Sequence, residues 1–167
     1  MADINAALDA SKDALEHLIV AGERTGAAWT TPRAPGKWSP SQITEHVARS
    51  LEESANMAVG RPSKFPKLTS LIHPVVRALL FKRVLRNGGF PRAKTNKAMN
   101  PAAGPPTPAD GRTRLEAAHL QFDQACRQVA SKGQPLRTGI FGAVLVEDYV
   151  RFMELHTRHH GKQIVDR

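Results

Sequence analysis

Apolar residues recur every three or four positions along most of the chain, the spacing that places side chains on one face of an α-helix. Glycine and proline interrupt this pattern at several points. The pattern predicts helices over 3–28, 40–59, 69–86, 107–132 and 146–165. It predicts no β-strand and no internal repeat. Amphipathic helices of these lengths indicate an all-α protein built as a helical bundle, and a chain of 167 residues suits a single domain, 1–167.

The second helix has the clearest start signal in the chain. Ser39 can cap its first turn, Pro40 suits the first helical position, and Gln42 completes a capping box. Trp38 precedes the cap, where an apolar residue can pack back onto the helix. In contrast, a long irregular loop around 88–110 carries five prolines. A loop of this length is typically functional or mobile.

The charge is concentrated in the middle of the chain. The whole chain carries a net charge of +9, but residues 61–114 contain twelve Lys/Arg and only one acidic residue, Asp110. Such a segment can attract nucleic acid, anionic lipid or an acidic small molecule. We disfavour nucleic acid, because no recognition motif is present and the nine aromatic residues do not interleave with the basic ones. A solvated surface, or an anionic small-molecule substrate attracted by Arg83, Arg86, Arg92 and Lys94, is the preferred interpretation.

Cysteine content and hydropathy bear on the compartment. The chain has one cysteine, Cys126, so no intrachain disulfide can form and a reducing compartment is expected. No signal peptide and no membrane-spanning stretch is evident, so no membrane partner is expected. These features predict a cytoplasmic protein. Cys126 lies in the middle of a helix between Ala125 and Arg127 and is interpreted as a buried structural residue rather than a nucleophile.

Three of the seven histidines lie close together in the last predicted helix. His156 and His160 are four residues apart, one turn of helix, and both fall on its apolar stripe. Two imidazoles at this spacing can bind one divalent metal, whereas His159 points sideways. A metal site needs a further ligand, and His46 is the best candidate because it lies on or beside the apolar stripe of the second helix. The alternative is that these histidines are ordinary buried or edge residues.

The other histidines are weaker candidates. His17 is less compelling, His73 precedes a proline at a helix start, and His119 could be a polar flank of its helix. The chain also lacks the His-Glu-x-x-His motif that supplies a general base in one class of metalloprotease. Glu45 directly precedes His46 in the chain, but its side chain should point away from that of His46.

Two stretches together resemble the DinB-like superfamily, the DinB/YfiT group of metal-dependent proteins. The first is "GKWSPSQITEHVARS" and the second is "HTRHHGKQI", which is similar to that family's His-x-x-x-His-x-x-Gln pattern. The resemblance implies a four-helix bundle with metal ligands at His46, His156 and His160. It further implies a divalent metal, nickel or zinc or in some members iron, and frequent homodimers. Relatives include transferases and isomerases that use low-molecular-weight thiols. Residues 61–110 match no motif of the family.

Two hypotheses for function follow. In the first, the protein is a metal-dependent enzyme, a thiol-dependent S-transferase or a hydrolase, in which a metal-bound water or thiol is the reactive group. Gln163 lies about one turn beyond His160 and could orient a ligand in the second shell, or could be an ordinary surface amide. In the second hypothesis, the chain is a non-catalytic helical protein that binds a ligand, or a partner through its basic middle segment.

Overall fold

The computed structural model describes residues 3–91 and 99–165. Six α-helices account for most of this part of the chain, together with one small β-hairpin. The predicted all-α class is therefore confirmed. The helices are α1 (Ile4–Glu23), α2 (Pro40–Ala58), α3 (His73–Val76), α4 (Lys82–Asn87), α5 (Pro108–Ser131) and α6 (Val146–Val165).

Four long helices enclose the hydrophobic core. Helix α1 packs mainly against α6, and α2 packs mainly against α5, with further contacts of α1 with α5 and of α2 with α6. Each helix contributes its apolar stripe, and residues such as Leu18, Leu51, Phe122 and Val150 are almost completely buried. None of the described helices is long and apolar enough to cross a membrane.

Helix α2 begins as the sequence predicts. The Ser39 side chain accepts a hydrogen bond from the backbone N–H of Gln42 at 3.2 Å, and the Gln42 side chain accepts one from the Ser39 backbone N–H at 3.0 Å. Pro40 occupies the first turn, where its missing N–H costs nothing. This capping box fixes the start of the helix and hence the direction in which His46, two turns later, points.

The predicted third helix is a series of short segments. A 3-10 turn (Ser70–Ile72) leads into α3, a π-helical stretch (Arg77–Phe81) and α4. Gly88 ends α4 in the left-handed conformation, with a φ of 65° that favours glycine. One side of this series is apolar and exposed, including Leu71, Val75 and Leu79.

A β-hairpin between α5 and α6 corrects the prediction that the chain has no strand. Strands β1 (Leu136–Thr138) and β2 (Gly142–Val144) pair in antiparallel fashion, with Arg137 opposite Ala143. Three-residue strands are too short for alternation to be visible in a sequence. Gly142 has a φ of 71°, so it supplies the turn conformation that other residues rarely adopt.

The segment 99–106 lies against the N-terminal half of α2 and is held mainly through its backbone carbonyls. The indole N–H of Trp29 and the hydroxyl of Ser41 both donate to the Pro105 carbonyl, at 2.8 and 2.7 Å. The Gln42 amide donates to the carbonyls of Pro101 and Ala102, both at 3.3 Å. The described part of the predicted 88–110 loop is thus a packed element of the structure from residue 99 onward.

Candidate metal centre

The structure brings His46, His156 and His160 together. Helix α2 supplies His46 and α6 supplies the other two, and the residues on the two helices are 110 positions apart in the chain. The Nε2 atom of His156 lies 3.2 Å from the Nε2 atoms of both His46 and His160. One nitrogen from each side chain lies within 4.8 Å of the other two, so the three form a cluster that could hold a metal ion.

The distances suit a shared cation. Two nitrogens bound to one tetrahedral zinc lie about 3.3 Å apart, given zinc–nitrogen bonds of about 2.0–2.1 Å. The separations of 3.2 Å between Nε2 atoms match that edge length. Imidazole nitrogen is a donor that zinc, nickel and iron all accept. Three such donors leave room in the coordination shell for a further ligand.

Hydrogen bonds at the far nitrogens fix which atoms can act as ligands. His46 Nδ1 lies 2.8 Å from the Met99 carbonyl oxygen, which can only accept, so Nδ1 carries the proton and Nε2 presents a lone pair. His160 Nδ1 lies 3.0 Å from Gln163 Oε1, and the same reasoning applies. Both contacts hold the ring of a histidine in place from the side away from the cluster, as is usual for metal-binding histidines.

The position of His156 shows that a shared cation satisfies these three imidazoles better than hydrogen bonds among them. Its Nδ1 atom is buried and has no hydrogen-bond partner among the described residues. If His156 Nε2 carried a proton, it could donate to only one of the two lone pairs it faces. If it carried none, three lone pairs would converge on one point. A positive ion at that point satisfies all three nitrogens at once, which no arrangement of protons achieves.

The three imidazoles are held in the neutral form that a metal requires. Burial is the largest cause in each case, and it lowers the pKa of His46 and lowers that of His156 well below the ordinary value. Burial, reinforced by repulsion from His46 and His159, lowers the pKa of His160 to about 3. Neutral imidazoles keep their lone pairs available at physiological pH.

Aromatic rings surround the cluster. The Trp38 ring packs against His46 at a centroid distance of 4.8 Å and lies over His160 at 6.2 Å. Phe90 meets His156 edge-on at 5.4 Å. The Trp38 indole N–H donates to the Asn100 side chain at 3.0 Å, which holds the ring in place. These contacts restrict the rotamers of all three histidines.

The cluster faces a cavity of about 820 Å³ that opens to the surface. His46, His156 and His160 form part of its wall, and so do Tyr149 and Phe152 one or two turns earlier on α6. A cavity of this size can accept a small molecule. The arrangement therefore places three potential metal ligands where a molecule in the cavity can reach them.

Other residues considered from the sequence have different positions. Gln163 contacts both His160 and His159, with its amide nitrogen 3.1 Å from His159 Nε2. His159 lies in the cavity wall but does not join the cluster. Glu45 points away from His46, as expected, and pairs with Arg49 at 2.6 Å and with Arg114 at 3.1 Å.

The remaining histidines and Cys126 lie outside the cluster. His17 is exposed on α1, and His73 contacts the carbonyls of Leu68 and Gly139 at the start of α3. His119 is buried beside Ser11 rather than flanking its helix. Cys126 is fully buried, and this burial raises the pKa of its thiol, which suits a structural residue.

Two of the four basic residues proposed to attract an anion, Arg83 and Arg86, are absent from the cavity wall among the residues that the structure describes. Arg83 is exposed on α4, as is Arg86, and the described lining residues include neither. Arg92 and Lys94 lie outside the described residues. The cations that do line the cavity are Arg33, Lys37 and Lys162. Sequence reasoning missed them because they lie far from the basic middle segment.

Comparison with protein families gives a match over nearly the whole chain. No curated protein and no solved structure matches the chain significantly. The profile of the DinB superfamily matches residues 7–164, which is nearly the whole chain and includes both histidine-bearing helices. The chain therefore belongs to the DinB superfamily.

Proposed function

We propose that the protein is a metal-dependent enzyme that acts on a small molecule bound in the cavity beside His46, His156 and His160. The observation that carries this proposal is the position of His156 Nε2, which lies 3.2 Å from the Nε2 atoms of both His46 and His160 on the wall of a cavity of about 820 Å³. In this proposal the whole chain, 1–167, is one domain, and α1, α2, α5 and α6 form the four-helix bundle implied by the family resemblance.

The chain's own residues perform three tasks in this proposal. His46, His156 and His160 hold the metal, which is nickel, zinc or iron. The Met99 carbonyl and the Gln163 side chain keep two of the imidazoles in the tautomer that binds metal. The aromatic residues Trp38 and Phe90 limit the access of water to the cluster and fix the direction in which a substrate enters.

The reaction class follows from the coordination that three imidazoles leave free. A divalent metal held there supplies Lewis acidity, which lowers the pKa of a thiol or water that binds to it. This chemistry supports a thiol-dependent S-transferase or a hydrolase. A low-molecular-weight thiol is then a cosubstrate, and we further propose a cytoplasmic homodimer. Among the described residues, no carboxylate lies in the cavity wall to act as a separate base.

Metal analysis of protein purified without a histidine tag tests the proposal. We expect close to one metal ion per chain in the wild type. His156→Ala and His46→Ala should each abolish it, because each removes one of three ligands. His17→Ala is the matched control, because His17 is exposed on α1 and its ring contacts the Asp13 carbonyl instead of the cluster. Circular dichroism establishes that each variant folds.

The same experiment separates enzyme from non-catalytic binding protein. A wild-type protein that is free of metal and binds neither nickel, zinc nor iron when these are added would refute the metal-dependent proposal. If metal binds, thermal denaturation with added thiols follows. A thiol that binds near the metal should raise the melting temperature of the wild type, and this increase should disappear in His156→Ala.

A further inference from the structure

The cavity wall is divided into an apolar interior and a positively charged rim. Six of the chain's nine aromatic residues contribute to the wall. They are Trp38, Phe65, Phe90, Phe141, Tyr149 and Phe152. Three of them, Phe141, Tyr149 and Phe152, also belong to the buried core, so the core borders the cavity with aromatic rings.

The aromatic part of the wall is a continuous surface. The ring of Phe152 lies 4.8 Å from that of Phe90 and 5.4 Å from that of Phe141, measured between centroids. Tyr149 stacks beside Phe152 at 6.3 Å. Rings at these distances pack as ordinary aromatic pairs and present apolar faces and edges to a molecule in the cavity.

Two of the hydroxyl groups that line the cavity, those of Ser50 and Tyr149, already donate their protons within the protein. The Ser54 hydroxyl donates to the Ser50 carbonyl at 2.7 Å, so the Tyr149 hydroxyl donates to Ser54 Oγ at 2.9 Å. The Ser50 hydroxyl in turn donates to the His46 carbonyl at 2.8 Å. No hydroxyl proton of this group is left for a ligand, so the interior favours an apolar ligand body.

The rim is different in character. Lys37 and Lys162 are exposed and line the cavity, and neither forms an ion pair with a described residue. Arg33 also lines it. The described lining residues include no aspartate and no glutamate. Lys37 and Lys162, with no acidic residue among the described lining residues, produce a positive potential at the entrance, which attracts anions.

We propose that the substrate of this site has an apolar, preferably aromatic, body and one anionic group, of which a carboxylate is the reference case. The body lies against the Phe90–Phe152 surface, and the anionic group is held at the rim by Lys37 and Lys162. This inference rests on the proposed function in taking the cavity as the substrate site. It assigns the recognition of charge to residues that are not metal ligands.

Three related probes test both halves of the proposal by isothermal titration calorimetry at low ionic strength. 4-Phenylbutyrate has the aromatic body and the carboxylate, 4-phenylbutyramide has the body without the charge, and butyrate has the charge without the ring. We expect 4-phenylbutyrate to bind roughly tenfold more tightly than the amide, since two exposed cations each contribute a few-fold. Butyrate should bind at least tenfold more weakly than 4-phenylbutyrate, because it buries no ring.

The double variant Lys37→Gln/Lys162→Gln tests where the charge is recognised. It should reduce the preference for 4-phenylbutyrate over its amide to less than threefold. Lys132→Gln is the matched control, because Lys132 is an exposed lysine at the end of α5 that does not line the cavity, and it should keep the full preference. Both variants change only exposed residues, so the fold should be retained.

Several outcomes would overturn the proposal. Equal affinity for the carboxylate and the amide in the wild type would refute the anionic group, and equal affinity for butyrate would refute the apolar body. If His156→Ala removes the preference while Lys37→Gln/Lys162→Gln does not, the carboxylate binds the metal and the rim has no role. Failure of the proposed function is seen separately, as a wild type that binds no metal but still prefers 4-phenylbutyrate.

Discussion

Gly104 occupies the tightest contact between the segment 99–106 and α2, and replacing it with alanine should destabilise the protein. A Cβ atom at this position would lie 2.0 Å from the Ser41 carbonyl oxygen and 2.6 Å from its hydroxyl oxygen. Carbon and oxygen do not approach this closely, so the segment would have to move away by about 1 Å. The obstacle is the backbone of α2, which cannot yield without disturbing the helix.

The cost follows from the hydrogen bonds that such a movement breaks. The bonds from Trp29 and Ser41 to the Pro105 carbonyl, 2.8 and 2.7 Å long, would stretch beyond useful range. Each leaves a buried donor unsatisfied at a cost of roughly 1–3 kcal/mol. We therefore expect Gly104→Ala to reduce the free energy of unfolding by about 2–6 kcal/mol. This is a large part of the total for a small protein, about 5–15 kcal/mol.

Urea denaturation of metal-free protein measures this loss directly. Gly89→Ala is the control, because a Cβ atom at Gly89 meets nothing within 4 Å and its φ is not positive. It should leave stability unchanged within about 0.5 kcal/mol. A second readout is metal affinity, which should fall about tenfold in Gly104→Ala as the Met99 carbonyl moves away from His46. If Gly104→Ala has the same free energy of unfolding as the wild type, the reasoning is refuted.

Three further predictions concern the side chain that orients His160, the effect of pH on stability, and the start of α2. Gln163→Ala removes the acceptor for His160 Nδ1, so metal affinity should fall roughly tenfold or more in a chelator competition assay. Because burial lowers the pKa of His160 from 6.5 to about 3, the unfolded chain binds more protons below pH 6.5. Metal-free protein should therefore be at full stability above pH 6.5 and lose roughly 2 kcal/mol from this group by pH 5, a loss absent in His160→Gln. Ser39→Ala removes the cap of α2 and should cost about 1 kcal/mol in urea denaturation, while unchanged stability would mean that the capping box contributes nothing.

The helices and the histidine cluster were accessible from the sequence because both depend on local rules. Helical periodicity gives the face on which a residue lies, and four-residue spacing places His156 and His160 on the same face. The capping box at Ser39 gives the start of α2 and therefore the orientation of His46. That the two helices meet at these residues came from the family resemblance, since spacing alone does not say which helices are neighbours.

The environment of the cluster could not be predicted in the same way. The Met99 carbonyl, which orients His46, is a backbone group 53 residues away in the chain and leaves no mark on the sequence. The β-hairpin is made of strands too short to show alternation. Lys37 and Lys162 are unremarkable in a chain with 24 basic residues, and only the fold brings them to one cavity. Counting charges along the chain therefore did not draw attention to Lys37 and Lys162.

The way in which α2 holds the segment 99–106 has a consequence for how this protein can diverge in evolution. The donors are side chains on or before α2, at Trp29, Ser41 and Gln42, whereas the acceptors at Pro101, Ala102 and Pro105 are backbone carbonyls. Every residue type has such a carbonyl, so substitutions in the segment can accumulate without loss of its position, apart from those that enlarge Gly104. Selection would then act on the donors and leave the sequence of the segment 99–106 free to vary.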